Sequence, residues 1–232
     1  MKRGKKYLES LSKVDRNKTY VPSEAVKLIK DIKYSSYDET VEVHFNLNID
    51  PRHADQQLRG TINLPAGTGK ETRVAVVAKD ADKVKEALDA GADEAGSEDL
   101  IEKIQGGWLG FDILIATPNM MSQVGRLGKL LGSKGLMPNP KVGTVTVDVS
   151  DSVKSFKSGK LEYRTDKSGI IHLVIGKLSF DVDALVKNFN MVYDTLLKVK
   201  PAKAKGVYMT SVSISSSNGV GVFVDPIKNS AG

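Results

Sequence analysis

The apolar residues of this chain follow two different patterns, one alternating and one continuous, and the pattern changes twice along the sequence. In residues 39–50, ETVEVHFNLNID, apolar and polar side chains alternate. This alternation predicts a strand with one core face and one polar face. Residues 73–79, RVAVVAK, are instead a continuous apolar run, which is typical of a strand covered on both faces. After Gly159 the alternating pattern returns. Because segments of one kind flank a segment of another kind, the sequence predicts one domain inserted into another.

Both ends of the chain contain segments that predict an α+β domain. Residues 59–65, RGTINLP, predict a short partner strand for the alternating strand. Residues 160–177 predict two strands joined by a turn at residues 166–169, where the residue types favour turns. A helix is expected from Pro22. A second, long helix is expected from Val182, with an apolar stripe over residues 182–197, and it closes at Pro201.

The middle of the chain alternates buried strands with helices. Helices are expected over residues 80–91 and 97–107, and a second buried strand over residues 111–118. Strands that alternate with helices predict a small parallel βαβ sheet of Rossmann-like topology.

The expected fold class is therefore α/β and α+β, with two domains. Residues 1–67 and 158–232 would form an α+β end domain, and residues 68–157 an inserted Rossmann-like α/β domain. Residues at the ends of elements absorb backbone rotations in domain motions. We accordingly predict a hinge at the two connections; its residues are Gly67, Gly69, Ser158 and Gly159. The alternative is one rigid fused body.

Positive charge is concentrated at the two ends of the chain. The formal net charge is +6. Residues 1–67 hold 12 basic and 9 acidic residues, residues 158–232 hold 10 and 6, and residues 68–157 hold 12 and 13. Excess positive charge favours a polyphosphate partner, because neutralising phosphates releases counterions. A solvated basic surface without a partner is the alternative.

Several function classes lack the residues that they need. The chain has no cysteine, and its three histidines are far apart in sequence, so we expect no metal and no cofactor. No catalytic constellation is visible. No apolar run is long enough to cross a bilayer and the first residues lack an apolar segment, which favours a cytoplasmic protein without a membrane partner.

Two rival functions would use nucleotides or DNA. A nucleotide-dependent enzyme could use the middle domain, but PAGTGKET at residues 65–72 departs from the phosphate-loop pattern and precedes a strand. A GxGxxG fingerprint is also absent. A DNA-binding regulator would need a helix-turn-helix or basic helix, and neither is visible.

The segment 125–146, GRLGKLLGSKGLMPNPKVGTVT, interleaves glycines with basic residues before two prolines that break any helix. It can contact phosphates directly or serve as structural packing, and its residues leave both interpretations open. The basic side chains that would make a secondary RNA or tRNA contact are Arg126, Lys129, Lys134 and Lys141.

The polar face of the end domain is the better candidate for a binding surface. Its side chains come from four predicted strands: Glu42, His44, Arg164, His172, Ser211, Ser213 and Ser215. Hydroxyls with basic residues at their margins bond sugar and phosphate oxygens, and the RNA 2′-hydroxyl is both donor and acceptor. Aromatic residues are few on this face, so shape recognition of folded RNA fits better than base stacking. An ordinary solvated sheet face is the alternative.

Several segments together resemble the bacterial large-subunit ribosomal protein L-one family. They are residues 37–70, YDETVEVHFNLNIDPRHADQQLRGTINLPAGTGK, the span from AGADEAGSEDLIEKIQGGW to FDILIATPNMM, the glycine-proline segment 125–146, and YRTDKSGIIHLVIGK. The resemblance covers nearly the whole chain and includes the inserted-domain layout. The glycine-proline segment is highly specific to the family.

The resemblance implies a non-enzymatic function in the ribosome. Members bind a folded region of large-subunit ribosomal RNA at the mobile stalk, which moves as deacylated tRNA leaves the exit site. They often repress their own operon by binding a similar fold in its messenger RNA. The implied partners are therefore large-subunit rRNA, exit-site tRNA and the operon mRNA, with the free protein a monomer.

The resemblance also implies RNA-binding residues, position by position. The matching positions are Tyr37, Glu42, Asp166, Lys167, Gly169, His172, Ser211, Ser217, Asn218 and Gly219. The chain departs from the family at the loop usually written Thr-Met-Gly, which here is Ser-Asn-Gly at residues 217–219. A methionine expected near the RNA is thus replaced by Asn218.

Overall fold

A computed structural model of the chain describes residues 3–204 and 206–225. It is a mixed α/β protein, which confirms the predicted fold class. The helices of the described residues that have four residues or more are α1 (Lys5–Ser12), α2 (Pro22–Asp31), α3 (Ala81–Asp89), α4 (Glu98–Gln105), α5 (Met121–Val124), α6 (Gly128–Lys134), α7 (Val149–Lys157) and α8 (Val182–Lys198). The strands are β1 (Thr40–Leu47), β2 (Arg59–Asn63), β3 (Val74–Val77), β4 (Glu94–Gly96), β5 (Ile113–Ala116), β6 (Lys160–Arg164), β7 (Ile170–Lys177), β8 (Met209–Ser216) and β9 (Val222–Val224).

The chain divides into two compact units. Residues 1–69 and 162–232 form the first, which we call the end unit, and residues 70–161 form the second, the middle unit. Among the described residues, no helix combines the length and the apolar character needed to cross a membrane.

The end unit is built on a four-stranded antiparallel sheet in the order β7-β1-β8-β9. The alternation in β1 is observed as predicted, since its burial alternates residue by residue. Its apolar side chains face a core that α2 and α8 cover. Phe45 of β1 and Phe189 of α8 stack there with ring centroids 5.9 Å apart. The other face of the sheet carries the polar side chains.

Two strand pairings differ from the prediction. β2 does not pair with β1, because β7 and β8 already occupy both edges of β1, and it pairs with β6 in a separate two-stranded sheet. The expected hairpin of β6 with β7 is reduced to one bridge, between Thr165 and Ile171. Thr165 instead donates its amide to the carbonyl of Leu58, which draws the chain before it towards β2.

The middle unit has the parallel sheet that its apolar run predicts, in the order β4-β3-β5. Every residue of β3 is buried, because helices pack on both faces of the sheet. One face is covered by α3 and α7, and the other by α4, α5 and α6. The short strand β4 and the helices α5, α6 and α7 have no counterpart in the sequence prediction.

The residues predicted as a hinge have local structural roles. The backbone of Gly67, Gly69 and Gly159 has positive φ, at 69°, 71° and 109°, a region that favours glycine. A side chain at Gly69 would also lie 2.8 Å from the Phe180 ring. Ser158 ends α7 by donating its amide to the carbonyl of Lys154. The hinge itself stays a prediction.

Candidate nucleic-acid interface

The polar face of the four-stranded sheet gathers residues that are distant in sequence. His44 of β1 lies opposite His172 of β7 on one side and Ser213 of β8 on the other. Glu42 likewise lies opposite Ser215, and Asn46 opposite Ser211. The face therefore carries the polar side chains expected from β1, β7 and β8 on neighbouring positions. Paired residues on adjacent strands place their Cβ atoms about 5 Å apart.

Two histidines meet at the centre of this face. The Nδ1 atoms of His44 and His172 are 2.8 Å apart, and the ring centroids are 5.0 Å apart at an angle of 62°. Nε2 of His44 lies 3.2 Å from the Ser215 hydroxyl, and Nε2 of His172 lies 3.5 Å from a carboxylate oxygen of Asp166. Burial lowers the pKa of His44 below its ordinary value of 6.5, and the neighbouring His172 lowers it further. The two rings are thus held in a hydrogen-bonded chain.

Asp166 organises the turn before β7. Its Oδ1 accepts hydrogen bonds from the amides of Ser168 at 2.8 Å and Ile170 at 2.7 Å. Burial alone would raise the pKa of Asp166, but these two amides and the neighbouring His172 together outweigh it, so the pKa is lowered. The carboxylate is therefore charged and already bonded within the protein.

The other residues predicted at this turn differ in exposure. Gly169 is buried with φ of +80°, and its carbonyl accepts from Leu47, so its observed role is to shape the turn. Lys167 is exposed at the tip of the turn, and Arg164 is exposed on β6. Both cations are available to a phosphate.

The loop at residues 217–219 is tied to the segment before β1. The side-chain amide of Asn218 donates to the Tyr37 hydroxyl at 2.6 Å, and the Tyr34 hydroxyl donates to the Asn218 carbonyl. The Asn218 backbone amide donates to the carboxylate of Glu39 at 3.2 Å. Asn218, where the chain departs from its expected family pattern, is thus the residue through which the two segments are connected.

Glu39 lies buried beneath this loop. Burial would raise the pKa of its carboxyl group, but the nearby hydroxyls of Ser216 and Ser35, the Asn218 amide and the charge of Lys33 lower it. Sequence reasoning missed Glu39 as a residue of the site, and also Tyr34. Glu39 is a polar residue at the start of an alternating strand, where only the folded structure shows that it is covered.

Close packing explains the glycine of the loop. A Cβ atom on Gly219 would lie 2.2 Å from the Ser216 hydroxyl oxygen. Gly219 donates its amide to the Ser216 carbonyl at 3.0 Å, which closes the turn. The neighbouring Ser217 and the more distant Ser211 are both exposed. The Ser217 hydroxyl donates to the Thr40 carbonyl at 3.4 Å and keeps its lone pairs, so both hydroxyls can bond a ligand.

One aromatic residue on the polar face was also missed. Phe223 of β9 lies opposite Ser213 and is 43% exposed, while its neighbours Val222 and Val224 are buried. Phe223 is therefore an exposed aromatic side chain at the edge strand of a face on which few are expected. The alternation in residues 220–224 carries a signal for this placement, since Phe223 lies between two apolar residues that face the core.

The four basic residues of the glycine-proline segment lie in the middle unit and are exposed; they are Arg126, Lys129, Lys134 and Lys141. Within the described part of the chain, none of them forms an ion pair. Leu127 and Leu131 of the same segment are buried in the core of that unit. The segment therefore packs through its leucines and presents its cations to solvent, and direct phosphate contact stays a prediction.

At PAGTGKET, residues 65–72, the lysine that a phosphate loop would use is already paired. The ammonium group of Lys70 lies 2.8 Å from a carboxylate oxygen of Asp112, which neutralises the charge that a phosphate would need. No group of three or more histidine, aspartate or glutamate side chains within residues 3–204 and 206–225 is arranged to hold a metal ion.

Comparison with a family model and comparison with known proteins both give matches. Residues 28–220 match the model of the ribosomal protein L1p/L10e family. The chain is also 53% identical over 226 residues to the large ribosomal subunit protein uL1 of Lactobacillus acidophilus, covering 97% of this chain and 98% of that protein. The match spans both units.

Proposed function

The chain belongs to the ribosomal protein L1p/L10e family, whose members are structural proteins of the large ribosomal subunit and not enzymes, and we propose that it binds folded large-subunit ribosomal RNA through the polar face of its end unit. The residues proposed to contact RNA are Tyr37, Glu42, Arg164, Asp166, Lys167, Gly169, His172, Ser211, Ser217, Asn218 and Gly219. As a protein of the large ribosomal subunit, it is ribosome-associated and cytoplasmic.

The observation that carries this proposal is the ordered polar surface made by the sheet and the loop at residues 217–219. Asn218 is bonded to both Tyr34 and Tyr37, and Asp166 holds the turn before His172. A surface whose side chains are already fixed loses little conformational entropy on binding. It suits the recognition of an RNA shape through sugar and phosphate oxygens.

Within this surface the residues have different roles. Ser211 and Ser217 supply hydroxyls to RNA oxygens, and Lys167 and Arg164 supply positive charge at the margin. Gly169 acts through the turn that it shapes, because it is buried. Glu42 and Asp166 repel phosphates, so they orient the backbone of the RNA or bond its hydroxyl donors.

The finer function is proposed from the family resemblance. In the ribosome, the protein assists the movement or release of deacylated tRNA from the exit site at the mobile stalk. The same surface represses the operon by binding a similar fold in its messenger RNA. The exposed cations from Arg126 to Lys141 are a secondary contact for rRNA or tRNA, and the predicted hinge residues permit motion of the backbone at the two connections. The free protein is a monomer.

The experiment is salt-dependent binding of the full chain to a ribosomal RNA stalk fragment and to a DNA duplex of equal length. We expect tighter binding to the RNA at every salt concentration. The variant Lys167→Ala should reduce the slope of log K against log salt by about 1, because each phosphate contact releases roughly one counterion. The control is Lys187→Ala, an exposed lysine on α8, which packs on the core side of the sheet. Equal affinity for RNA and DNA, or equal slopes for the two variants, would contradict the proposal.

A further inference from the structure

A row of ring-bearing side chains crosses the whole polar face of the sheet. Strand pairing places His172 beside His44, His44 beside Ser213, and Ser213 beside Phe223. The row thus takes one residue from each of the four strands. Three of its four members carry planar rings, and the fourth carries a hydroxyl.

We infer that this row is a stacking surface for an unpaired nucleotide of the bound RNA, with the base lying on Phe223 and the ribose against Ser213 and the histidine pair. The inference rests on the proposed function, and it adds His44, Ser213 and Phe223 to the surface. It also names the class of nucleotide that the surface binds, since only a base outside a helix exposes its ring face to a protein.

The position of Phe223 is the first argument. A single exposed apolar side chain is ordinary on a protein surface. Phe223, however, lies on the polar face, opposite a serine and two strands away from His44. Strand spacing of about 4.8 Å puts these two side chains roughly 10 Å apart. A ring, a hydroxyl and an imidazole at that spacing match the base and sugar of one nucleotide.

The histidine pair supplies the second argument. Because the two Nδ1 atoms are 2.8 Å apart, the N–H of one imidazole donates a hydrogen bond to the other ring nitrogen. The Nε2 atoms are bonded to Ser215 and Asp166, so both rings are oriented. Oriented imidazoles offer flat surfaces to a nucleotide, as aromatic side chains do in other RNA-binding modules.

Continuity with the proposed contact surface supplies the third argument. Ser211 and Ser213 are two residues apart on β8, so both face the same side of the sheet. RNA that contacts Ser211 therefore lies two residues along β8 from Ser213, which belongs to the row. An unpaired nucleotide beside a helical region can reach Phe223 without a second binding event.

The test measures the affinity of the full chain for two RNAs. One is a stalk fragment of large-subunit ribosomal RNA with its unpaired nucleotides, in which 2-aminopurine replaces unpaired purines one at a time. The other is the same fragment made fully paired by deleting those nucleotides. The variants are Phe223→Ala, which removes the ring, Phe223→Tyr, which keeps it, and Phe223→Leu, which keeps apolar area without a ring.

We expect Phe223→Ala to weaken binding to the first RNA by roughly 5- to 150-fold, the range that one base-stacking contact gives. Phe223→Tyr should bind as the wild type does, and Phe223→Leu should lose most of the affinity. One 2-aminopurine should change its fluorescence on binding the wild type and not on binding Phe223→Ala. The matched control is Leu197→Ala on α8, since Leu197 is also 43% exposed, and its affinity should not change.

The outcomes separate this inference from the proposed function. If the wild type prefers RNA to DNA and Phe223→Ala binds RNA with unchanged affinity, the stacking surface is overturned and the proposed function stands. The same unchanged affinity is expected if another protein covers this face. Equal losses on both RNAs overturn the assignment to an unpaired nucleotide. A wild type without preference for RNA overturns the proposed function. Thermal unfolding of each variant shows whether it is folded. Should Phe223→Ala be unstable, Phe223→Leu tests the loss of the ring, and an affinity equal to that of Phe223→Tyr would overturn the stacking surface.

Discussion

Gly219 leaves no room for a methyl group, and this makes the loop at residues 217–219 open to a quantitative test. In Gly219→Ala the new Cβ atom would lie 2.2 Å from the Ser216 hydroxyl oxygen. Ser216 is 4% exposed, so its side chain cannot turn into solvent without moving the loop. Overpacking of this kind costs roughly 1 to 3 kcal/mol. We expect the free energy of unfolding to fall by that amount.

A second substitution removes the cause of the strain. Once Ser216→Ala deletes the hydroxyl, the nearest remaining atoms are the Ser216 Cβ at 3.4 Å and its amide nitrogen at 3.5 Å, which are ordinary contacts. The double variant should therefore be no less stable than Ser216→Ala alone. The two substitutions should be non-additive by about the cost of Gly219→Ala, because they act on one contact.

The assay is urea denaturation of the wild type, both single variants and the double variant, with the RNA dissociation constant measured for each. RNA binding should follow the same pattern, since the loop carries Ser217 and Asn218. Additive losses of stability in the double variant would refute the reasoning, because they would mean that the methyl group and the hydroxyl do not meet.

Three further outcomes are expected. Ser217→Ala should weaken RNA binding by about 1 to 3 kcal/mol if its exposed hydroxyl is buried in a hydrogen bond to RNA; an unchanged dissociation constant would place the site elsewhere. Asn188→Ala should lower the free energy of unfolding, measured by urea denaturation, by roughly 3 kcal/mol. The buried side-chain amide of Asn188 bonds three backbone groups, and each would lose its partner. A loss below about 1 kcal/mol would contradict this. The free energy of unfolding should fall as the pH drops below about 6.5, the ordinary pKa of histidine. The reason is that the pKa of His44 is lowered in the folded state, so the unfolded chain takes up the proton first. In denaturation curves, the free energy of unfolding of His44→Gln should fall less between about pH 7 and pH 5.

The helices and strands with a strong period were predictable from sequence. β1 was expected over residues 39–50 and is observed at Thr40–Leu47. α8 was expected from Val182, closing at Pro201, and is observed at Val182–Lys198. In both, the period is a local steric property of the backbone, so nearby residues suffice to reveal it. α1 was not predicted, since Lys5–Ser12 has few apolar residues to set a period.

The candidate site was predictable only in part. Family resemblance marked Asn218 as a departure from the expected methionine, and the polar alternation indicated His44 as a surface residue. The hydrogen bond between Asn218 and Tyr37 joins residues 181 positions apart, and that between His44 and His172 joins residues 128 positions apart. No local pattern contains such contacts, so neither could be predicted.

The sequence by itself determined the mixed α/β class, the alternating and continuous apolar patterns, the polar face of β1 and, through the resemblance, the family. The tertiary structure alone decided which strands pair. It placed β2 beside β6, and it brought Phe223 into line with Ser213, His44 and His172. The physical reason is that side-chain direction follows from the backbone period, whereas strand pairing depends on which edges remain free once the apolar faces have been buried together.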